Sequence, residues 1–429
     1  MSNREPLSSP EKGETEGRKE KKRPGWIGRY AAGVLEDAGG LLRLPEKYRR
    51  APDEKHIDVL DGLRVLFILI IAWYHIWQQS WLTPVPFQVN LDFLLRSGYE
   101  WVDAMLLLSG FCLFLPYAYG KRMDVREFFK KRVARIVPSY YLCVLLLLVF
   151  TVFPQAKYPS AGEAVKDIAA HLTFTHSLFT STYIGSPING VLWTLSVEAQ
   201  FYVLFPLLCI CFKKRPLVTW CVMTLCAFVY RYFAGLLQDT AVYINQLPAF
   251  LDVYANGFAA AMLFRALRKR LENENLLQKL LFTGVFVVSV WLAVRLMKGQ
   301  AAEMGIANLR LGQMNRRWVF SCTVCALILS AAFSLPLLRF LLGNRVMRFL
   351  SLVTFQFYMY HQAIAVWLKE HGIPASLSPT PNFYSEQPWQ TRYTLLCFFA
   401  ALVLSVLLTF LFERPVARCI LKKRKHSDQ

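Results

Sequence analysis

Arg64 and His75 are two ionisable residues in an otherwise almost wholly apolar run, LDGLRVLFILIIAWYHIWQQSW. Eleven helical steps of about 100° return to within roughly 20° of the start, so the two share one helix face about 16 Å apart. An imidazole can take a proton from a hydroxyl near neutral pH, and a guanidinium holds phosphate through paired donors. Ionisable groups at such depth are costly to bury and mark a functional site by default. Glu198 lies about seven residues into NGVLWTLSVEAQFYVLFPLL, at a depth similar to that of His75. An acid/base pair is expected there, with the carboxylate orienting the ring. His361, with Tyr360 before it in FLSLVTFQFYMYHQAIAVWL, falls in the same half of its own span, as does Asp103 in GYEWVDAMLLLSGFCL. These three are candidates to line the same cavity and meet a substrate. Arg132 and Arg135 stand at i and i+3 in KRMDVREFFKKRVARIVPSYY and present two forked donors together, which suits a phosphate-bearing ligand. Each residue also has a plain structural reading. His75 and His361 read as satisfied core histidines, Arg64 as a snorkelling side chain, Glu198 as half of a buried contact, Asp103 as a helix-entry carboxylate, and the arginine pair as a membrane anchor.

Helices must position these groups. Of 429 residues, 55% are hydrophobic and 18% charged, against about 25% charged in an average soluble domain. The apolar residues come in blocks of about twenty, the length that crosses a hydrocarbon layer of about 30 Å, and lipid satisfies no backbone polar group. The expected fold is therefore all-α and polytopic, with about ten spans near 63–79, 101–119, 137–154, 191–212, 216–235, 248–266, 280–297, 318–338, 349–369 and 393–412. A net charge of +20 would suggest nucleic acid in a soluble protein. Here 37 of the 49 Lys and Arg residues fall on one side of the expected spans and 10 on the other, with Arg64 and Arg231 inside them. That asymmetry predicts cytoplasmic termini and no nucleic-acid role. The five basic residues of 295–317 are the feature that fits this scheme worst. The ten cysteines sit in or at the ends of apolar blocks, without ligand spacing, and read as small core residues; no metal is expected.

Residues 1 to about 23 are polar and charged, a composition that cannot build a core, and are expected to be a disordered tail. Residues 26–50 suit a helix lying on a membrane surface, although Asp37, Gly39 and Gly40 weaken that reading. No signal peptide is expected at the start, since the first apolar block follows some sixty polar and charged residues. The expected division is a basic cytoplasmic tail over 1–58, a transmembrane unit over 59–418 and a short basic tail over 419–429. The polar connections at 155–190 and 370–392 are expected to close over an acceptor.

These strings resemble the acyltransferase family 3 membrane proteins. LDGLRVLFILIIAWYH is similar to that family's Arg-x10-His signature, EWVDAMLLLSGFCL to its second-span pattern, and FFKKRVARIVPSYY to the basic segment before its third span. LWTLSVEAQFYVLFPLL resembles its Trp-x-Leu-Ser-Val-Glu stretch, FQFYMYHQAI its late Tyr/His stretch and LFERPVAR its Glu-Arg-Pro ending. The likeness runs from about Leu60 to Arg418. It implies an integral membrane acyltransferase of a plasma or inner membrane. The acyl group, acetyl before succinyl, would pass from a coenzyme A thioester to a hydroxyl of a surface glycan or related acceptor. It further implies His75 as the base and Arg64, Arg132 and Arg135 as the hold on the donor's phosphates, with no permanent cofactor. Ala199 follows Glu198 where members often carry a second acid, so any role shared by two carboxylates rests on Glu198. No esterase-like domain of the kind appended in some members is read here, which leaves room for a separate extracytoplasmic partner. A proton-coupled transporter or flippase for a glycan or lipid-linked precursor is the competing reading. Against it, the ionisable motifs cluster in the first four spans and the ninth rather than at matched positions of two halves.

Overall fold

The computed structural model describes residues 28, 30, 31, 33–35, 57–183, 185–271 and 275–421. Its principal helices are α1 Val59–Ser80, α2 Trp101–Ala118, α3 Val125–Leu147, α4 Ala161–Leu172, α5 Trp193–Lys214, α6 Pro216–Gly235, α7 Leu251–Arg270, α8 Leu276–Ala301, α9 Ile306–Phe333, α10 Pro336–Gly343, α11 Arg345–Glu370, α12 Trp389–Leu408 and α13 Arg414–Leu421. Among the described residues there is no strand. Nine helices there are long and apolar enough to cross a membrane: α1, α2, α3, α5 to α9, and α12 with the turns that follow it. The remaining expected span, 349–369, is helix α11. It has the length, 26 residues, but carries Gln356 and His361, both buried against its neighbours rather than offered to lipid.

Local chemistry sets the helix starts. Asp124 accepts from the Glu127 amide to open α3 ahead of its basic run, and Asn189 accepts from the Val191 amide in the 3-10 turn that leads into α5. Asn189 also donates to the Met359 carbonyl at 2.8 Å, fixing that entry against α11. Packing inside the bundle uses small residues. A Cβ on Gly257 of α7 would stand 2.5 Å from the Leu107 carbonyl oxygen of α2, so only glycine permits that crossing. Beside it, Phe201 and Tyr254 stack with ring centroids 3.5 Å apart, and Phe114 and Phe258 with centroids 4.7 Å apart. By contrast α6 and α8 bury little of their surface and present Leu217, Leu225, Leu277, Leu281 and Trp291 outward, as lipid-facing helices do.

The expected connection at 295–317 does not exist as a loop. Helices α8 and α9 absorb all but residues 302–305 of it. Arg317 lies inside α9 with no exposed side-chain surface, its Nε donating to Asp103 Oδ2 at 2.9 Å. Arg316 donates to Gln300 at 2.6 Å and to Glu303 at 2.5 Å, and Arg310 to Asp239 at 2.8 Å. The basic residues that fitted the charge scheme worst are therefore largely paired. Arg231, expected inside a span, is likewise neutralised, with two donors on Asp252 at 2.9 and 2.6 Å.

The expected tail at 1–23 lies outside the described residues, as does most of 26–50. The described part of that second segment is helical and meets the other end of the chain: Tyr30 donates to the Leu411 carbonyl and Arg418 to that of Gly33.

Candidate active site

A cavity of about 370 Å³ opens among α1, α2, α3, α5 and α11. Arg64 from α1 and Arg132 and Arg135 from α3 line one part of it, so the three arginines singled out by spacing converge. Arg64 Nη1 donates to Ser351 Oγ at 3.2 Å, and that hydroxyl donates to Asp61 Oδ1 at 2.8 Å. The second nitrogen of the fork, Nη2, lies 3.9 Å from Cys112 Sγ. The Arg132 guanidinium sits over the rings of Phe128 and Tyr202, at 5.7 and 5.8 Å from their centroids, and its buried Nε has no hydrogen-bond partner among the described residues. Arg64 and Arg132 are partly buried and Arg135 is exposed, and three cations gathered at one part of the lining make the local potential positive.

Glu198 of α5 also lines the cavity, but it does not pair with His75 as expected. It accepts from Ser109 Oγ at 2.7 Å and from the Tyr202 hydroxyl, one turn further along its own helix. The partner of His75 is His361: His361 Nε2 and His75 Nδ1 are 3.0 Å apart, and His361 Nδ1 lies 2.8 Å from the Tyr358 carbonyl and 3.2 Å from that of Phe357. Ile71, one turn before His75, and Tyr358, whose ring centroid is 5.7 Å from that of His361, both line the cavity. Neither imidazole is itself a lining residue; through these two neighbours the pair adjoins the cavity at the end away from Arg64. Thr194 donates to the Tyr358 hydroxyl at 2.8 Å, locking α5 to α11 at that level.

Two other candidates sit elsewhere. Asp103 does not line the cavity; Arg317 draws it into the ion pair described above. Tyr360, 2% exposed, packs in an apolar cluster with Tyr140, Cys143 and Leu192 and is not among the residues that line the cavity. The reason is helical geometry: Tyr358 and Tyr360 are two steps apart on α11 and so face nearly opposite sides. Ser109, Thr194 and Tyr202 were not singled out from the sequence. For Tyr202 the signal was its i+4 spacing from Glu198, and for Ser109 and Thr194 a hydroxyl in an apolar helix.

The connection at 153–190, at the His75 end, is ordered by its own polar core. Tyr158 and Ser186 each donate to Asp167 Oδ2 at 2.8 Å, and His171 Nδ1 lies 3.2 Å from Oδ1. Burial would raise the Asp167 carboxyl, but the His171 contact and charge and the two hydroxyls hold it below its ordinary value. The rings of His171 and His176 stack with centroids 4.1 Å apart. Burial, then the neighbouring His171, push His176 down from 6.5 to about 3. This connection is fastened to the back of α5, where Ser177 and Ser196 share a hydrogen bond of 2.7 Å and Gln200 reaches both.

Among the described residues no group of His, Cys, Asp and Glu is placed to hold a metal ion. A family model described as an acyltransferase domain matches residues 57–414. The chain is 25% identical over 171 residues to the peptidoglycan O-acetyltransferase OatA of Listeria monocytogenes, covering 37% of this chain and 25% of that protein. It is 28% identical over 172 residues to the putative peptidoglycan O-acetyltransferase YrhL of Bacillus subtilis, with shares of 37% and 25%. To the O-acetyltransferase OatA of Staphylococcus aureus it is 27% identical over 181 residues, with shares of 40% and 27%. The aligned segments thus span about a quarter of each relative's own length. No solved structure matches.

Proposed function

Because this chain belongs to the acyltransferase 3 family, we propose that it is a multi-pass membrane O-acyltransferase that moves an acetyl group from acetyl coenzyme A to a hydroxyl of a cell-wall glycan. One observation carries the reading: a single cavity has three arginines in one part of its lining and a histidine pair adjoining its other end. The donor's phosphates would rest against Arg64, Arg132 and Arg135, with its thin pantetheine arm extending toward His75. His75 would accept the proton of the attacking hydroxyl as the new C–O bond forms at the thioester carbonyl. Collapse of the tetrahedral intermediate breaks the C–S bond, and the proton ends on the departing thiolate. The protein then supplies positioning and one proton acceptor, both large terms that need no covalent enzyme intermediate. The glycan acceptor is suggested by two of the relatives, one named a peptidoglycan O-acetyltransferase and the other a putative one. Cytoplasmic termini, as the loop charges predict, would put the arginine end on the side where acyl coenzyme A is made.

The test uses the full-length protein in lipid nanodiscs with radiolabelled acetyl coenzyme A and a soluble muro-oligosaccharide. Wild type is expected to release free coenzyme A thiol together with base-labile acetyl ester on the glycan, and His75→Ala to lose about 10²-fold or more of that rate. A wild-type protein that leaves the thioester intact in nanodiscs and, in sealed proteoliposomes, carries the glycan across the bilayer would make it a transporter instead.

A further inference from the structure

The geometry points to His361 as the positioning residue that fixes which nitrogen of His75 is free to act as base. This rests on the reading of His75 given above and adds to it the group that prepares the ring. Nδ1 of His361 faces two main-chain carbonyls, those of Tyr358 at 2.8 Å and Phe357 at 3.2 Å. Carbonyl oxygens only accept, so that nitrogen carries a hydrogen. A neutral imidazole has one N–H, and Nε2 of His361 is therefore a bare acceptor. The atom facing it, 3.0 Å away, is Nδ1 of His75. A hydrogen bond between them requires His75 to donate from Nδ1, which leaves the lone pair of His75 on Nε2. The orientation of the active imidazole is thus set by a relay that starts at the backbone of α11 and runs through His361.

His361 is held for this task. It has no solvent exposure, its ring stacks near-parallel to that of Phe357 at 6.1 Å, and Tyr358 is anchored by the Thr194 hydroxyl. Glu198, the carboxylate that lines the cavity, is engaged by Ser109 and Tyr202, so a carboxylate does not fill the orienting role. When His75 takes the hydroxyl proton at Nε2, its Nδ1–H strengthens as a donor to His361 Nε2, and the positive charge is shared along the relay until the thiolate removes the proton. His361 makes no contact with the reacting atoms in this scheme; it acts only through His75.

Selective ¹⁵N-histidine labelling of the full chain in nanodiscs reads this directly, with the His75 signal assigned by its loss in His75→Gln. In wild type at pH 8 the imine-type resonance is expected on Nε2 of His75 and the pyrrole-type resonance on Nδ1. In His361→Ala the preference is expected to relax toward a mixture, with kcat for acyl transfer lowered roughly 10²-fold and the donor KM within about twofold of wild type. His361→Gln keeps an acceptor oxygen near the same place and is expected to recover part of kcat. It also serves as the folded control should the alanine variant fail to assemble. A wild-type His75 whose imine nitrogen is Nδ1, or a folded His361→Ala with unchanged kcat, overturns the assignment. Acyl transfer surviving in His75→Ala would instead remove the base reading itself, so the two failures are distinguishable.

Discussion

Removing Asp103 tests whether it serves the bundle or a substrate. In the structure its carboxylate accepts from Arg317 Nε at 2.9 Å, and both side chains are almost wholly buried. Arg317 has other neighbours, the Ile244 carbonyl at 2.9 Å and the Phe250 ring at 4.1 Å, but among the described residues it has no second carboxylate within ion-pair distance and its Nη2 has no hydrogen-bond partner. Asp103→Ala therefore strands a guanidinium in a low-dielectric interior. Breaking a buried pair in this way costs about 3–5 kcal/mol, or two to three and a half decades in the folding equilibrium. Replacing both partners, as in Asp103→Leu with Arg317→Met, removes the stranded charge and is expected to recover most of the loss. The assay is thermal unfolding of detergent-solubilised protein by fluorescence-detected size exclusion, alongside acyl transfer. If Asp103→Ala unfolds at the wild-type temperature yet has no activity, Asp103 meets a substrate and the ion pair is not its reason for being there.

Arg132→Ala and Arg135→Ala are each expected to remove a charge-assisted contact of about 1.5–3 kcal/mol, raising the donor KM about ten- to a hundredfold with a smaller change in kcat; steady-state kinetics with varied acetyl coenzyme A checks the split. Gly257→Ala forces a methyl group against the Leu107 carbonyl, and about 1–3 kcal/mol of destabilisation is expected as lower folded yield and an earlier thermal transition. Acidification is expected to loosen the 153–190 connection. His176 is held neutral in the fold, down from 6.5 to about 3, whereas the unfolded segment binds a proton below about 6.5. The stabilisation is therefore complete above that pH and declines as pH falls from about 6.5 toward 3. Limited proteolysis across that range measures it, and His176→Phe is expected to flatten the dependence.

The spans and the arginine cluster were legible because both follow from local rules. Apolar blocks of membrane length announce helices, and helical spacing puts Arg132 and Arg135 on one side of α3. What the sequence hid was pairing across long separations. His75 and His361 are 286 positions apart, and no periodicity relates them. The expected partner, Glu198, is engaged by Ser109 and Tyr202 instead. Arg317 was read as part of a loop because LGQMNRRWVF is polar over one and a half turns; the carboxylate that lets it lie in a helix interior is 214 residues away. Tyr358 takes the cavity side of α11, and Tyr360, two steps on, turns into an apolar cluster, a choice of face that the string FQFYMYHQAI does not reveal.

Helix α5 carries two separate trades on opposite flanks. Thr194, Glu198 and Tyr202, spaced by four, look into the cavity, while Ser196 and Gln200, offset by two, grip the far-end connection through Ser177. Because the two sets share a backbone but no side chain, drift in one need not trespass on the other. A lineage can rewrite the connection and its anchoring hydroxyls while inheriting the cavity wall intact, which leaves that connection as the natural place for related proteins to diverge.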